Sequence, residues 1–182
     1  MNLATQITVL RILLTPLFVS LLLYYGPGRE KLYPLSFIVF AVACLSDGVD
    51  GYLARRLDQK TALGSYLDPV ADKLLLLSGF LSLSFMSHLP DAIRIPAWVT
   101  ISVVTRDIII LIGSAMIFLT TGKLTAEPLF IGKVTTFCQM ATLFIVLAAS
   151  PEAVRIVFFM ATVALTTASG IGYLRMGGRI LR

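Results

Sequence analysis

The stretch Asp47–Asp72 reads D-G-V-D-G-Y-L-A-R-R-L-D-Q-K-T-A-L-G-S-Y-L-D-P-V-A-D. Four acids, Asp47, Asp50, Asp68 and Asp72, sit at helical spacings inside sequence that is otherwise largely apolar. Asp47 and Asp50 are three residues apart and share one helix face. Gly64, Asp68 and Asp72 follow at spacing four, down one stripe of the next helix. Carboxylates in apolar surroundings are costly unless they are paired or bind a metal. The spacing therefore predicts two helices that each offer two carboxylates to a shared divalent-metal site. Gly51 removes a side chain beside the first pair and lets a ligand approach. Arg55 is placed to meet a phosphate through two parallel hydrogen bonds.

The rest of the chain says where such helices would sit. Its 182 residues are 57% hydrophobic and 14% charged, with mean hydropathy +0.90. That composition belongs to a chain that crosses a membrane several times. A soluble domain of this size needs more charge to cover its surface. The net charge of +5 does not point to nucleic acid, because basic residues in membrane proteins gather in cytoplasmic loops. Cys44 and Cys138 lie in apolar runs and are expected as free thiols.

Six apolar segments follow one another: 7–25, 33–54, 64–87, 95–121, 130–149 and 154–174. Each is long enough to cross a hydrocarbon core of about 30 Å as a helix. Short turns separate them at Gly26-Pro27-Gly28, Leu89-Pro90-Asp91 and Ser150-Pro151-Glu152. The expected fold is an all-α integral membrane protein of six transmembrane helices, forming a single domain over 1–182. With the N-terminus inside, ten basic residues (Arg11, Arg55, Arg56, Lys60, Lys73, Lys123, Lys133, Arg175, Arg179, Arg182) face one side. Four, Arg29, Lys31, Arg94 and Arg155, face the other. The bias predicts both termini, and the acidic cluster, at the cytoplasmic face.

Oxygen-only donors suit Mg²⁺ or Mn²⁺, which commonly bridge phosphates. No histidine or thiolate pattern suggests zinc. An ion transporter would also hold intramembrane acids. It predicts acids at the midplane and internal repeats, and the chain shows neither.

The string Asp47-x₂-Asp50-Gly51-x₂-Ala54-Arg55-x₈-Gly64-x₃-Asp68-x₃-Asp72 resembles the complete signature of the CDP-alcohol phosphotransferases. Within that family the run L-D-P-V-A-D-K at 67–73 is similar both to phosphatidylglycerophosphate synthases and to cardiolipin synthases of the CDP-diacylglycerol type. The resemblance implies phosphatidyl transfer from CDP-diacylglycerol to an anionic glycerol acceptor, with release of CMP. Glycerol 3-phosphate is the first expectation for that acceptor, and phosphatidylglycerol is the alternative. It implies that Asp47, Asp50 and Asp68 hold a pair of divalent ions with Asp72 at the edge. Asp72 would also take the proton of the acceptor hydroxyl. Gly51, Arg55, Thr61 and Gly64 would line the nucleotide site. Thr8, with Arg11, fits a family element near the nucleotide, and Thr5 stands where asparagine is usual. The resemblance also implies a homodimer among membrane lipids, in a bacterial inner membrane with the active site towards the cytoplasm.

Two residues outside the signature bear on the acceptor. Arg106 lies inside the fourth segment with Asp107 beside it. A cation there should face a polar cavity or pair with an acid. It is read as binding the anionic acceptor, against the simpler alternative of an Arg–Asp structural network. Lys133 follows Gly132 in a glycine-lysine element, with Thr135 where a second lysine is common in phosphoglycerol synthases. His88, on a loop, is expected to have no role. Trp98, Tyr24, Tyr25 and Tyr173 read as interfacial anchors. Ser78, Gly79 and Ser82, and Gly113, Ser114 and Ala115, read as sites of close helix contact.

Overall fold

The computed structural model describes residues 3–57, 62–121 and 130–180, and side chains over 8–46, 70–116, 119 and 130–176. Among these residues there are six α-helices and no strands. They are α1 (Leu3–Leu23), α2 (Leu32–Leu57), α3 (Ala62–Phe85), α4 (Ala97–Thr121), α5 (Phe130–Leu147) and α6 (Glu152–Ile180), with a short 3₁₀ turn at Asp91–Ile93. Each helix coincides with one apolar segment. Three stretches are long and apolar enough to cross a membrane: Asp91–Met116, Phe130–Leu147 and Glu152–Met176. The apolar parts Thr8–Leu23 and Leu32–Ser46 are shorter. These helices make the chain an integral membrane protein.

The chain divides into two compact units, Met1–Arg94 and Ile95–Arg182. In the first, α1 packs against both α2 and α3. Its core holds Phe18, Leu22, Phe40, Phe80 and Leu83, all fully buried. The rings of Phe18 and Phe40 meet at 5.4 Å, tilted by 39°, an arrangement that aromatic quadrupoles favour. Pro16 lies inside α1 and offers no N–H to the preceding turn. Beside it the Thr15 hydroxyl donates to the Arg11 carbonyl at 3.0 Å. Gly28 turns the chain between α1 and α2 at φ +78°, a conformation glycine reaches without strain. His88 Nε2 donates to the Leu22 carbonyl at 2.9 Å. The lone histidine thus ties the loop after α3 to the end of α1.

In the second unit α6 packs against both α4 and α5. Lipid supplies little hydrophobic drive for helix association, so small and polar side chains do much of that work. The α5–α6 seam follows this rule. Thr142 donates to the Cys138 carbonyl at 2.8 Å, and the Thr142 and Thr162 hydroxyls bond at 2.7 Å. Thr135 reaches the Leu165 carbonyl at 3.2 Å, and Gln139 Nε2 reaches Thr166 Oγ1 at 3.5 Å. The turn between the two helices passes through Ala149 at φ 48°, where Ser150 N–H donates to the Ile145 carbonyl at 3.2 Å.

Both cysteines are free, as expected. Two readings need correction. Gly113 has nothing within 4 Å of a Cβ built on it, and Ala115 is exposed. Small size at Gly113–Ala115 therefore marks no close helix contact among the described residues, whereas Gly79 and Ser82 on α3 are buried. Arg11, counted above among the cytoplasmic charges, is only 1% exposed. Its charge is matched inside the protein, by Asp72.

Candidate active site

α2 carries Asp47, Asp50, Gly51 and Arg55 on its C-terminal part, and α3 carries Gly64, Asp68 and Asp72 in its first half. The intervals expected from the sequence therefore fall on continuous helix, and each aspartate pair lies on one helix face. The side chains of Asp47, Asp50, Arg55, Asp68 and Thr5, the surroundings of Gly51 and Gly64, and all of Thr61 lie outside the described residues.

Asp72 and Thr8 are the described members of this set. Asp72 Oδ1 accepts from Arg11 Nη1 at 2.5 Å, an ion pair between α3 and α1. Asp72 keeps 34% of its side chain exposed, while Arg11 is almost fully covered. A buried guanidinium is stable only beside a matching acid, so the pair holds the Asp72 carboxylate at a fixed place. Thr8 lies one turn before Arg11 on α1 and is fully buried. The pairing of Arg11 with Asp72 was missed in the sequence. The available signal was an arginine within an apolar helix, which calls for a carboxylate.

The donor set fits a hard divalent cation, since it consists of carboxylate oxygens with no thiolate or imidazole in the signature. Among the described residues no group of three or more His, Cys, Asp or Glu side chains occurs. Three of the four aspartates lie outside them.

Arg106 on α4 anchors a second polar cluster, in the second unit. It is buried, at 5% exposure. Its Nη1 donates to Asp107 Oδ1 at 2.8 Å. Its Nε and Nη2 donate to Ser169 Oγ on α6 at 3.3 and 2.9 Å. Its Cζ lies 5.9 Å from the centre of the Tyr173 ring, at the outer reach of a cation–π contact. Tyr173 therefore faces Arg106 as well as marking a span end. Gly132 on α5 completes the cluster: a Cβ there would lie 3.2 Å from Arg106 Nη2 and 3.3 Å from the Tyr173 hydroxyl. Lys133, next in the chain, is exposed, while Thr135 is buried. The Arg–Asp network considered from sequence is present, and it is wider than the adjacent pair alone.

The model of the CDP-alcohol phosphatidyltransferase family matches residues 1–168. The chain belongs to that family. A probable phosphatidylglycerophosphate synthase of Mycobacterium tuberculosis H37Rv is 33% identical over 176 residues, covering 94% of this chain and 79% of that protein. Several relatives carry the name CDP-diacylglycerol–glycerol-3-phosphate 3-phosphatidyltransferase. That of Escherichia coli K12 is 33% identical over 145 residues, 78% of this chain and 74% of its own. That of Bacillus subtilis 168 is 32% identical over 148 residues, 76% of this chain and 72% of its own. The metal and phosphate chemistry read from the acidic signature is the chemistry of this family.

Proposed function

We propose that this chain transfers the phosphatidyl group of CDP-diacylglycerol to glycerol 3-phosphate, giving phosphatidylglycerophosphate and CMP. The observation that carries the reading is the unbroken signature from Asp47 to Asp72 on two consecutive helices, in a member of this family. The choice of acceptor is supported by the names of the relatives, which specify glycerol 3-phosphate. The cardiolipin-synthase alternative is not favoured.

Asp47, Asp50 and Asp68, with Asp72 at the edge, would hold Mg²⁺ or Mn²⁺, in our reading two ions. When bound, such ions supply charge neutralisation at a phosphoryl centre and its leaving phosphate. Gly51, Arg55, Thr61 and Gly64 receive the CDP end of the lipid, with Thr8 and Thr5 contributing from α1. Asp72 accepts the proton from the acceptor hydroxyl. The freed oxygen forms a bond to the β-phosphorus. The bond from that phosphorus to the bridging oxygen breaks, and its electron pair leaves with CMP. A carboxylate near cations is a weak base, so its contribution comes mainly from position. Arg11 supplies that position. Arg106 and Lys133 receive the anionic acceptor.

The same reading takes all six helices as spans of one catalytic domain over 1–182, with both termini in the cytoplasm. Without the buried Arg11, nine basic residues still oppose four, which supports that orientation. It places the active site towards the cytoplasm of a bacterial inner membrane, in a homodimer. A non-enzymatic ion transporter finds no support in a family of transferases.

The test is direct. Purified protein receives CDP-diacylglycerol, Mg²⁺ or Mn²⁺, and glycerol 3-phosphate, and CMP release is followed. Release that requires glycerol 3-phosphate and disappears in Asp72→Asn is expected. Release supported only by phosphatidylglycerol would overturn the acceptor, and no release with either would overturn the activity.

A further inference from the structure

α6 is longer than a membrane core requires. It has 29 residues, Glu152–Ile180, and a helix of that length spans about 43 Å. The hydrocarbon core takes up about 30 Å. Glu152 opens the helix at one membrane boundary, so the excess lies at the other end. Arg175 stands about 35 Å along the helix and Arg179 about 40 Å. A bilayer with its headgroups is about 40–45 Å thick, which puts this end of α6 in the headgroup layer.

That end is basic and carries no acid. Glu152 is the last acid in the sequence, and Arg175, Arg179 and Arg182 follow it at intervals of four and three. On a helix such intervals keep to one face. Arg175 is exposed, and so are the apolar side chains of Ile171 and Leu174. The side chain of Arg179 and all of Arg182 lie outside the described residues. Gly177 and Gly178 are poor helix formers, and like charges four apart repel, yet the helix continues to Ile180. Negative charge around the arginines removes that repulsion. The helix dipole favours cations within the last turn, and Arg175 lies more than one turn before the end. The residues matched to the family end at 168, so the transferase signature does not account for these arginines. Nor does the Arg106 cluster: Tyr173 faces Arg106, and Arg175, two residues on, lies nearly opposite on the helix.

We propose that the end of α6 is a binding surface for anionic phospholipids of the bilayer. Their phosphates meet Arg175 and Arg179, and Ile171 and Leu174 lie against their chains. The ligand is a lipid and not a soluble anion, because the arginines stand at headgroup depth beside exposed apolar side chains. The surface is independent of which acceptor the enzyme uses.

The experiment uses the full chain in neutral detergent micelles, without substrates. Spin-labelled phosphatidylserine and spin-labelled phosphatidylcholine are titrated separately, and the motionally restricted fraction gives their relative affinity. Phosphatidylserine is neither substrate nor product of the proposed reaction. One basic residue at an anionic lipid surface is worth about fivefold in affinity. The unaltered chain should prefer phosphatidylserine, and Arg175→Gln and Arg179→Gln should each lower the preference about fivefold. Together they should bring it close to parity. Arg155→Gln, at the other end of the same helix, should change it by less than about twofold. Arg175→Lys keeps the charge and should retain most of the preference. Salt at about 1 M cuts the screening length to about 3 Å and should erase the preference of the unaltered chain, which preserves the test if the glutamine variants fold poorly.

Equal affinity of the unaltered chain for the two lipids would overturn the surface. So would a preference that survives in the double variant or at high salt. An equal loss in Arg155→Gln would also overturn it, since charge anywhere on the helix would then suffice. Displacement of phosphatidylserine by inorganic phosphate at unchanged ionic strength would assign the arginines to a soluble anion and overturn the lipid.

Discussion

Arg11 and Asp72 stand 61 residues apart in the chain and 2.5 Å apart in space. Their ion pair fastens the first helix to the third at the carboxylate assigned to proton transfer. Breaking a fully buried pair costs about 3–5 kcal/mol. Asp72 is partly exposed, so Arg11→Met should cost about 2 kcal/mol. It should lower CMP release at least tenfold, because the carboxylate loses its fixed position. Arg11→Lys keeps the charge without the planar fork and should fall between. Thermal unfolding in detergent and single-substrate kinetics read the two effects separately.

Gly132 and Gly113 make a matched pair. Gly132→Ala puts a methyl group 3.2 Å from Arg106 Nη2, and that guanidinium is already held by Asp107 and Ser169. KM for glycerol 3-phosphate should rise. Gly113→Ala meets nothing within 4 Å and should stabilise α4 by up to about 1 kcal/mol through helix propensity. The glycerol 3-phosphate KM should therefore change in Gly132→Ala and stay unchanged in Gly113→Ala, whose melting temperature should rise.

Thr142→Val removes the hydroxyl that bonds both Thr162 and the Cys138 carbonyl. Interhelical hydrogen bonds in membranes average about 0.6 kcal/mol, with a maximum near 1.7 kcal/mol. A loss of about 1 kcal/mol in unfolding free energy, with KM values unchanged, is expected.

Ala149 sits in the left-handed region that closes α5. Glycine reaches that region without a Cβ penalty. Ala149→Gly should raise stability by about 0.5–1 kcal/mol, measured by unfolding in mild denaturant.

Chelation tests the donor set. Removing divalent ions with EDTA should abolish CMP release, and Mg²⁺ or Mn²⁺ should restore it. Restoration by zinc alone would contradict an all-oxygen site.

The six helices were legible because most of the apolar runs are bounded by glycine or proline, and the second by the charged stretch 55–60. The ends were less so. α6 starts at Glu152 and runs to Ile180, beyond the apolar stretch 154–174. A helix continues into the headgroup layer as long as its backbone stays bonded, and hydropathy does not record that. The aspartate signature was legible because its spacing is local. The pairing of Arg11 with Asp72 and of Arg106 with Ser169 was not, because those partners come from other helices. Tyr173 read as an interfacial anchor, and nothing local to it reveals Gly132 on α5.

The Arg11–Asp72 pair also sets an order of events during synthesis. Arg11 enters the membrane with the first helix, and its acid is made 61 residues later. At about 5–20 residues per second the delay is roughly 3–12 s. During that interval the guanidinium has to reach for the headgroup layer along its own aliphatic stem. The first helix therefore settles to its final depth only when the third arrives. An early truncation before Asp72 would leave the first helix riding shallow, with its charge still in the phosphate layer.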